Sequence, residues 1–233
     1  MSRCGVPSRS TVPRTTTSYA VLGLLSVRDW STYELAKQVR RSLRWFWPRT
    51  ERKLYDEPKR LVADGLATAT REYVGQRPRT VYGITEEGRA QLRRWLDEPP
   101  ATRSMEFEGM LKLFFADAGS LDQLAATLTA IERDAAERLA ELAEVNQHNL
   151  AGANKYPQRL HLSVLALRLH IEQEIVVHNW ARWARAQAAA WSTTRDPGDW
   201  DITAAQRELA ERADDATLPP DQRSEVDRTS RPE

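Results

Sequence analysis

The sequence predicts a mainly α-helical fold with one small β wing. Three observations carry that prediction. Apolar residues recur three and four apart through most of the chain, which is the helical period. Leu66 to Val74 alternate instead, as a strand does, and Thr80 to Ile84 return beside them. Ser31 and Ser120 each stand three residues before a Glu or Gln, so each opens a helix with a capping box.

Composition bounds the reading. Of 233 residues, 41% are hydrophobic and 29% charged, which suits a packed, water-exposed globular chain. No apolar run approaches the roughly 20 residues of a membrane span. Met1 to Arg14 is basic and polar and lacks the apolar centre of a signal peptide. Cys4 is the single cysteine, which excludes an internal disulfide and cysteine-rich zinc modules. These features predict a cytoplasmic protein with no membrane partner. The net charge of +1 hides an asymmetry: residues 17–100 hold 16 Lys/Arg against 11 Asp/Glu, and residues 101–233 hold 15 against 22. A basic front predicts an anionic partner there. A solvated surface with no partner is the alternative that charge alone leaves open.

The elements follow in order. Residues 1–16 read as a flexible basic arm. Ser18 to Val27 is a short apolar helix. The Ser31–Glu34 box opens a second helix, continued by Leu35, Val39 and Leu43. Trp45-Phe46-Trp47-Pro48 connects to a third helix, Arg49 to Asp64, closed by Gly65. Its apolar stripe is Leu54, Leu61 and Val62, and Arg49, Arg52, Lys53, Asp56, Lys59 and Arg60 fall opposite. Leu66 to Val74 and Thr80 to Ile84 form a hairpin. The loop Gly75 to Arg79 is read as too long for the tightest turn, with Pro78 outside the ladder. Thr85 caps a helix whose inner face is Leu92, Trp95 and Leu96.

Residues 17–100 therefore have the element order of a winged helix-turn-helix DNA-binding domain. Residues 101–191 are a different, helical module. Ser104 to Ala118 reads as one helix, and Ser120–Gln123 opens a long second one. Its seam is Leu121, Leu124, Leu128, Ile131, Ala135, Leu139, Leu142 and Val145. A last helix, from about Pro157 to Trp191, carries two apolar stripes. One is Leu160, Val164, Leu167, Ile171 and Ile175. The other is Leu162, Leu165, Leu169, Val176, Trp180 and Trp183. A helix apolar on two sides needs two partners, so the second stripe predicts a homodimer interface and an antiparallel helical dimerisation and effector domain. Residues 192–233 read as a mostly disordered acidic tail.

Dispersed motifs make the likeness specific. Tyr19-Ala-Val-Leu-Gly-Leu-Leu-Ser26, Tyr33-Glu-Leu-Ala36, Leu54-Tyr55, Lys59-Arg-Leu61, Asp64-Gly-Leu66 and Tyr82-Gly-Ile-Thr-Glu-Glu-Gly88 resemble the PadR family of bacterial transcriptional regulators. The resemblance covers about residues 17–191. It implies a homodimeric repressor, DNA near Tyr55 and Lys59, and a small planar or phenolic effector. One departure stands out. The family pattern Tyr-Pro-x-Leu-Lys-Arg-Leu is here Tyr55-Asp-Glu-Pro-Lys-Arg-Leu61, and Pro58 predicts a kink or a later start of the reading helix.

The DNA-binding candidates are Arg49, Thr50, Arg52, Lys53, Tyr55, Lys59 and Arg60 on the third helix, with Arg77 and Arg79 on the wing. A recognition helix offers its N-terminal residues to base edges, where Arg52 suits guanine. Lys59, Arg60 and the wing arginines suit phosphate. His170, Glu174 and His178 share one helical face and include metal-ligand types. They span two turns, however, and are read as polar residues at the edge of a helix seam, so no metal or cofactor is expected. Trp45, Trp47, Trp180, Trp183 and Trp191 are read mainly as core and dimer anchors, with one or two available to a flat ligand. No phosphate loop, nucleophile elbow or zinc signature occurs, so an enzyme is not expected. The reading is a ligand-responsive repressor that binds a palindromic double-stranded operator as a homodimer. The rival is a protein-interaction scaffold that uses a winged helix without DNA.

Overall fold

The computed structural model describes residues 14–43, 51–103 and 106–217. They fall into two compact units, divided at Ser104.

In the front unit, α1 (Thr16–Leu25) is capped by Thr15, whose hydroxyl accepts from the Ser18 amide. A two-residue strand, β1 (Trp30–Ser31), precedes α2 (Thr32–Ser42). The capping box is present in full: Ser31 Oγ accepts from the Glu34 amide, and Glu34 accepts from the Ser31 amide. Helix α3 (Glu51–Ala63) ends at Gly65, whose φ of 74° is the left-handed form that glycine adopts most readily. The Leu66 amide then turns back to the Leu61 carbonyl at 2.8 Å. Strands β2 (Ala67–Val74) and β3 (Arg77–Ile84) lead to α4 (Glu86–Asp97), capped by Thr85. The sheet order is β1-β3-β2, all antiparallel.

Leu22, Leu25, Trp30, Leu35, Val39, Leu54, Leu61, Leu66 and Tyr82 form the core on which these helices close. Tyr19 of α1 stacks on Trp95 of α4 at 4.7 Å. Gly88 lets α4 approach the sheet: a Cβ there would sit 2.1 Å from the Leu66 carbonyl oxygen.

The front unit corrects the sequence reading in three places. β1 is an additional strand, pairing Trp30 with Tyr82 and Ser31 with Val81. The wing turn is only Gly75-Gln76, because Arg77 pairs with Val74 and Pro78 with Tyr73. Gly75, at φ 60°, supplies the left-handed first position of a tight hairpin turn. β1 reaches no further than Val81, so β3 is an edge strand at Pro78 and tolerates the missing donor. Leu96 is exposed, because Tyr19 recruits Trp95 and turns Leu96 outward. Pro58 lies within α3, fully buried, with the helix assigned without interruption through it.

In the rear unit, α5 (Glu108–Phe114) and a short 3-10 turn (Ala116–Ala118) replace the single helix expected from Ser104. Ser104 itself lies outside the described residues. Helix α6 (Leu121–Leu150) opens with the Ser120–Gln123 capping box and buries Leu124, Leu128, Ile131, Ala135 and Leu142. Helix α7 (Leu160–Ala188) packs antiparallel to it: Arg185 pairs with Glu132 at 2.8 Å, and Arg138 reaches Glu174 at 3.7 Å.

The inward face of α7 differs from the expected stripe. Val164 and Ile175 are exposed, and the seam runs through Leu160, Leu167, Ile171, Glu174, His178, Ala181 and Ala188. Long paired helices keep a 3.5-residue seam, which here selects Glu174 and His178 over Ile175. Trp180, expected on the outward stripe, packs against the cluster of Leu124, Leu128 and Ala188 inside the chain.

Residues 192–217 hold more contacts than their composition suggests. Thr194 Oγ1 donates to the Gly119 carbonyl at 3.0 Å, and Arg195 Nε donates to that of Asp117 at 2.9 Å. Trp200 stacks on Trp191 at 5.6 Å, and α8 (Ile202–Thr217) follows with no buried residue. Among the described residues, no helix is long and apolar enough to cross a membrane.

Candidate nucleic-acid interface

The two faces of α3 are sharply divided. Leu54, Glu57, Pro58 and Leu61 are buried, while Tyr55, Asp56, Lys59 and Arg60 point to solvent. Burial of Leu54 and Leu61, seven residues apart, fixes the roll of the helix, so the opposite face is the exposed one. A second restraint comes from Glu57. Its carboxylate is buried and accepts from Ser18 Oγ at 2.5 Å, which ties α3 to the first turn of α1. Nothing in the spacing of the basic residues had singled out Glu57 or Ser18. A charged residue between Leu54 and Leu61 on the apolar stripe was the available signal.

The predicted contact residues divide as follows. Arg49 and Thr50 lie outside the described residues. Arg52 and Lys53 stand in the first turn of α3, where the backbone alone is described. Seven residues separate Arg52 from Lys59, so the helix puts both on one face. Tyr55 is 40% exposed. Lys59 and Arg60 are held only loosely, by Asp56 and Glu57 at 3.8 Å each. Both cations are themselves exposed and stand too far from their partners to be held firmly, so both remain available to an incoming anion.

The wing carries three arginines in different settings. Arg77 stands next to the turn and faces no carboxylate among the described residues. Arg79 is paired across the strands with Glu72, through Nη2 at 2.8 Å and Nε at 3.1 Å. It also lies 4.0 Å from Glu34. Arg71, which the sequence reading passed over, is on the other face of the hairpin beside Tyr73.

Among the described residues of the front unit, Glu34 is the most perturbed acid. Burial works to raise it, but hydrogen bonds from the Ser31 amide and hydroxyl and from Arg28 prevail and hold it down to about 2. It stays ionised at any pH at which the protein would work.

The rear unit holds the other candidates. Leu162, Leu165, Leu169, Val176 and Trp183 are all about half exposed or more, and form an outward strip on α7. His170 is pushed down by burial, and Glu174 is pushed up by burial against the pull of Arg138. Glu174 is thus engaged in the seam, and no group of three or more metal-ligating side chains gathers among the described residues. Trp191 is partly buried against the cluster of Leu124, Leu128 and Ala188, Trp183 is on the outward strip, and Trp45 and Trp47 lie outside the described residues.

A winged helix with a solvent-facing basic recognition helix defines the class: a DNA-binding transcriptional regulator. Residues 21–94 match the transcriptional regulator PadR-like family, and residues 108–188 match the virulence activator alpha C-terminal family. The likeness to PadR-like transcriptional regulators thus lies in residues 21–94, which span the winged helix from within α1 to within α4.

The chain is 30% identical over 99 residues to the negative transcriptional regulator PadR of Bacillus subtilis, an alignment spanning 42% of this chain and 54% of that relative, about half its length. It is 27% identical over 173 residues to a probable transcriptional regulator of Mycobacterium tuberculosis, spanning 70% of this chain and 92% of the other. The fold is also that of Bacillus subtilis PadR in complex with operator DNA, at a TM-score of 0.68 and 23% identity, over 76% of this chain and 99% of that one. The same relative in complex with p-coumaric acid gives a TM-score of 0.60 at 23% identity, over 74% and 98%.

Proposed function

We propose that this chain is a ligand-responsive repressor that binds a palindromic operator as a homodimer. The observation that carries the reading is the exposed face of α3, with Tyr55, Lys59 and Arg60 on the side opposite the buried Leu54 and Leu61. Arg49, Thr50, Arg52 and Lys53 are the sequence's candidates for base contact, and the wing adds phosphate contacts. Two such helices related by a twofold meet half-sites about 34 Å apart. The outward strip of α7 supports the dimer, since large apolar side chains left in water seek a partner.

The solved complex of the Bacillus subtilis relative with p-coumaric acid supports a small planar effector for this chain. Ligand binding in the helical module would weaken operator affinity by linkage. The chain acts in the cytoplasm, with no cofactor and no catalytic role.

The test is a binding titration with duplex DNA from upstream of its own coding sequence, at two salt concentrations and against random competitor. Retardation that survives competitor and weakens with salt is the expected result. Absence of both favours a protein-interaction scaffold.

A further inference from the structure

The wing is anchored by a continuous chain of charge. Arg28 donates to Glu34 at 3.1 Å, and its guanidinium lies 3.7 Å over the Trp30 ring. Glu34 receives the Ser31 amide and hydroxyl at 2.9 and 2.7 Å. Arg79 stands 4.0 Å from that same carboxylate oxygen and is bound through two nitrogens to Glu72. The path thus leads from the start of α2, through β3, into β2. Arg79 has a carboxylate on each side, so an approaching phosphate would have to compete with both for it.

Strand alternation puts the other cation on the opposite face. Arg71 pairs directly with Thr80, and Tyr73 with Pro78, so Arg71, Tyr73, Pro78 and Thr80 share one surface. That surface holds a shallow depression of about 460 Å³ lined by Ala69, Arg71, Pro78, Arg79 and Thr80. Arg71 faces no carboxylate among the described residues; its nearest described partner is the Tyr73 ring, 5.7 Å away. A guanidinium and a hydroxyl beside an open recess suit a phosphodiester oxygen: both donate, and no described carboxylate pairs with the guanidinium. Pro78 brings no competing amide and stiffens the floor.

We infer that Arg71, with Thr80, is a phosphate ligand of the wing, and that Arg79 is a positioning residue that aims the wing through Glu72 and Glu34. The inference rests on the DNA reading above and assigns a contact within it. It adds an arginine that the sequence reading passed over and gives Arg79, expected at phosphate, a different role.

The separating measurement is the salt dependence of binding to a 30-base-pair duplex, read by fluorescence anisotropy between 50 and 200 mM salt. A residue that displaces a counterion carries about 0.9 of the log–log slope. Arg71→Ala flattens the slope by about that amount, and Arg71→Lys restores it. Arg79→Gln weakens binding at every salt concentration and leaves the slope at the parent value. Near-ultraviolet circular dichroism and melting temperature confirm that each variant is folded. A parent that binds while Arg71→Ala keeps the full slope overturns the assignment, as does an Arg79→Gln variant that loses the slope. A parent that binds no duplex at any salt concentration overturns the DNA reading itself.

Discussion

Ser18 Oγ donates to Oε1 of Glu57 at 2.5 Å, joining the first turn of α1 to the middle of α3 across 39 residues of sequence. The carboxylate is buried, and the Arg60 guanidinium is 3.8 Å away. The roll of the recognition helix therefore depends on a hydroxyl outside the helix. Ser18→Ala leaves a buried acceptor short of a donor, which costs about 1–3 kcal/mol. The expected result is a lower urea midpoint at unchanged slope, together with weaker operator binding. An unchanged midpoint would show that Glu57 is satisfied without Ser18.

Pro58 is a fully buried proline inside α3. It cannot donate to the preceding turn, a loss of about 3 kcal/mol in a helix interior. Pro58→Ala restores that donor and removes about two buried carbons, at about 0.8 kcal/mol each. The balance favours the variant by about 1 kcal/mol, a rise of a few degrees in Tm. A falling Tm would mean that ring packing outweighs the missing hydrogen bond.

Glu34 gives the front unit an acid-sensitive restraint. Its folded pKa, about 2, lies below the ordinary value of 4.5, so the charged form is favoured by folding. That stability is complete above about pH 4.5 and is lost as pH falls toward 2. Glu34→Gln keeps a side chain able to complete the capping box but removes the charge. The variant is expected to melt below the parent at pH 7, by about 2 kcal/mol after allowance for solvent screening. The gap should narrow as both are titrated through the acid window. A gap independent of pH would locate the effect in packing, not charge.

Leu169 and Val176 are 52% and 66% exposed on α7. Because neither is buried within the chain, Leu169→Glu and Val176→Glu should fold. Each buried large side chain contributes roughly 1.5–3 kcal/mol to an interface, so either variant should be monomeric by light scattering at micromolar concentration. Operator binding should fall with assembly, since two half-sites are no longer linked. A parent that scatters as a monomer would remove the basis for the dimer.

Much of this fold was legible because local chemistry and long-range packing agreed. The capping boxes at Ser31 and Ser120 and the stop at Gly65 depend on neighbours three or four residues away, and each stands in the structure as expected. What escaped depended on distant partners. Two residues make too short a run to announce β1, which exists because β3 offers it an edge. Pro78 suggested a loop, and only the register with Tyr73 shows it in the ladder. Ile175 looked like core beside Glu174, but the seam period chose the glutamate. Within the basic surface, sequence gave cations without their counter-charges, so Arg79 and Arg71 could not be ranked until Glu72 and Glu34 were in place.

The hydrogen bonds from Thr194 and Arg195 to the carbonyls of Gly119 and Asp117 bear on where the rear unit can be cut. The family match stops at residue 188, before Trp191, Trp200 and both of those donors. A truncation at that boundary would strip the junction between α5 and α6 of its outer cover and leave the Trp191–Trp200 stack unmade. The shortest rear fragment that keeps its own contacts therefore extends through Trp200, about a dozen residues further than homology would place the cut.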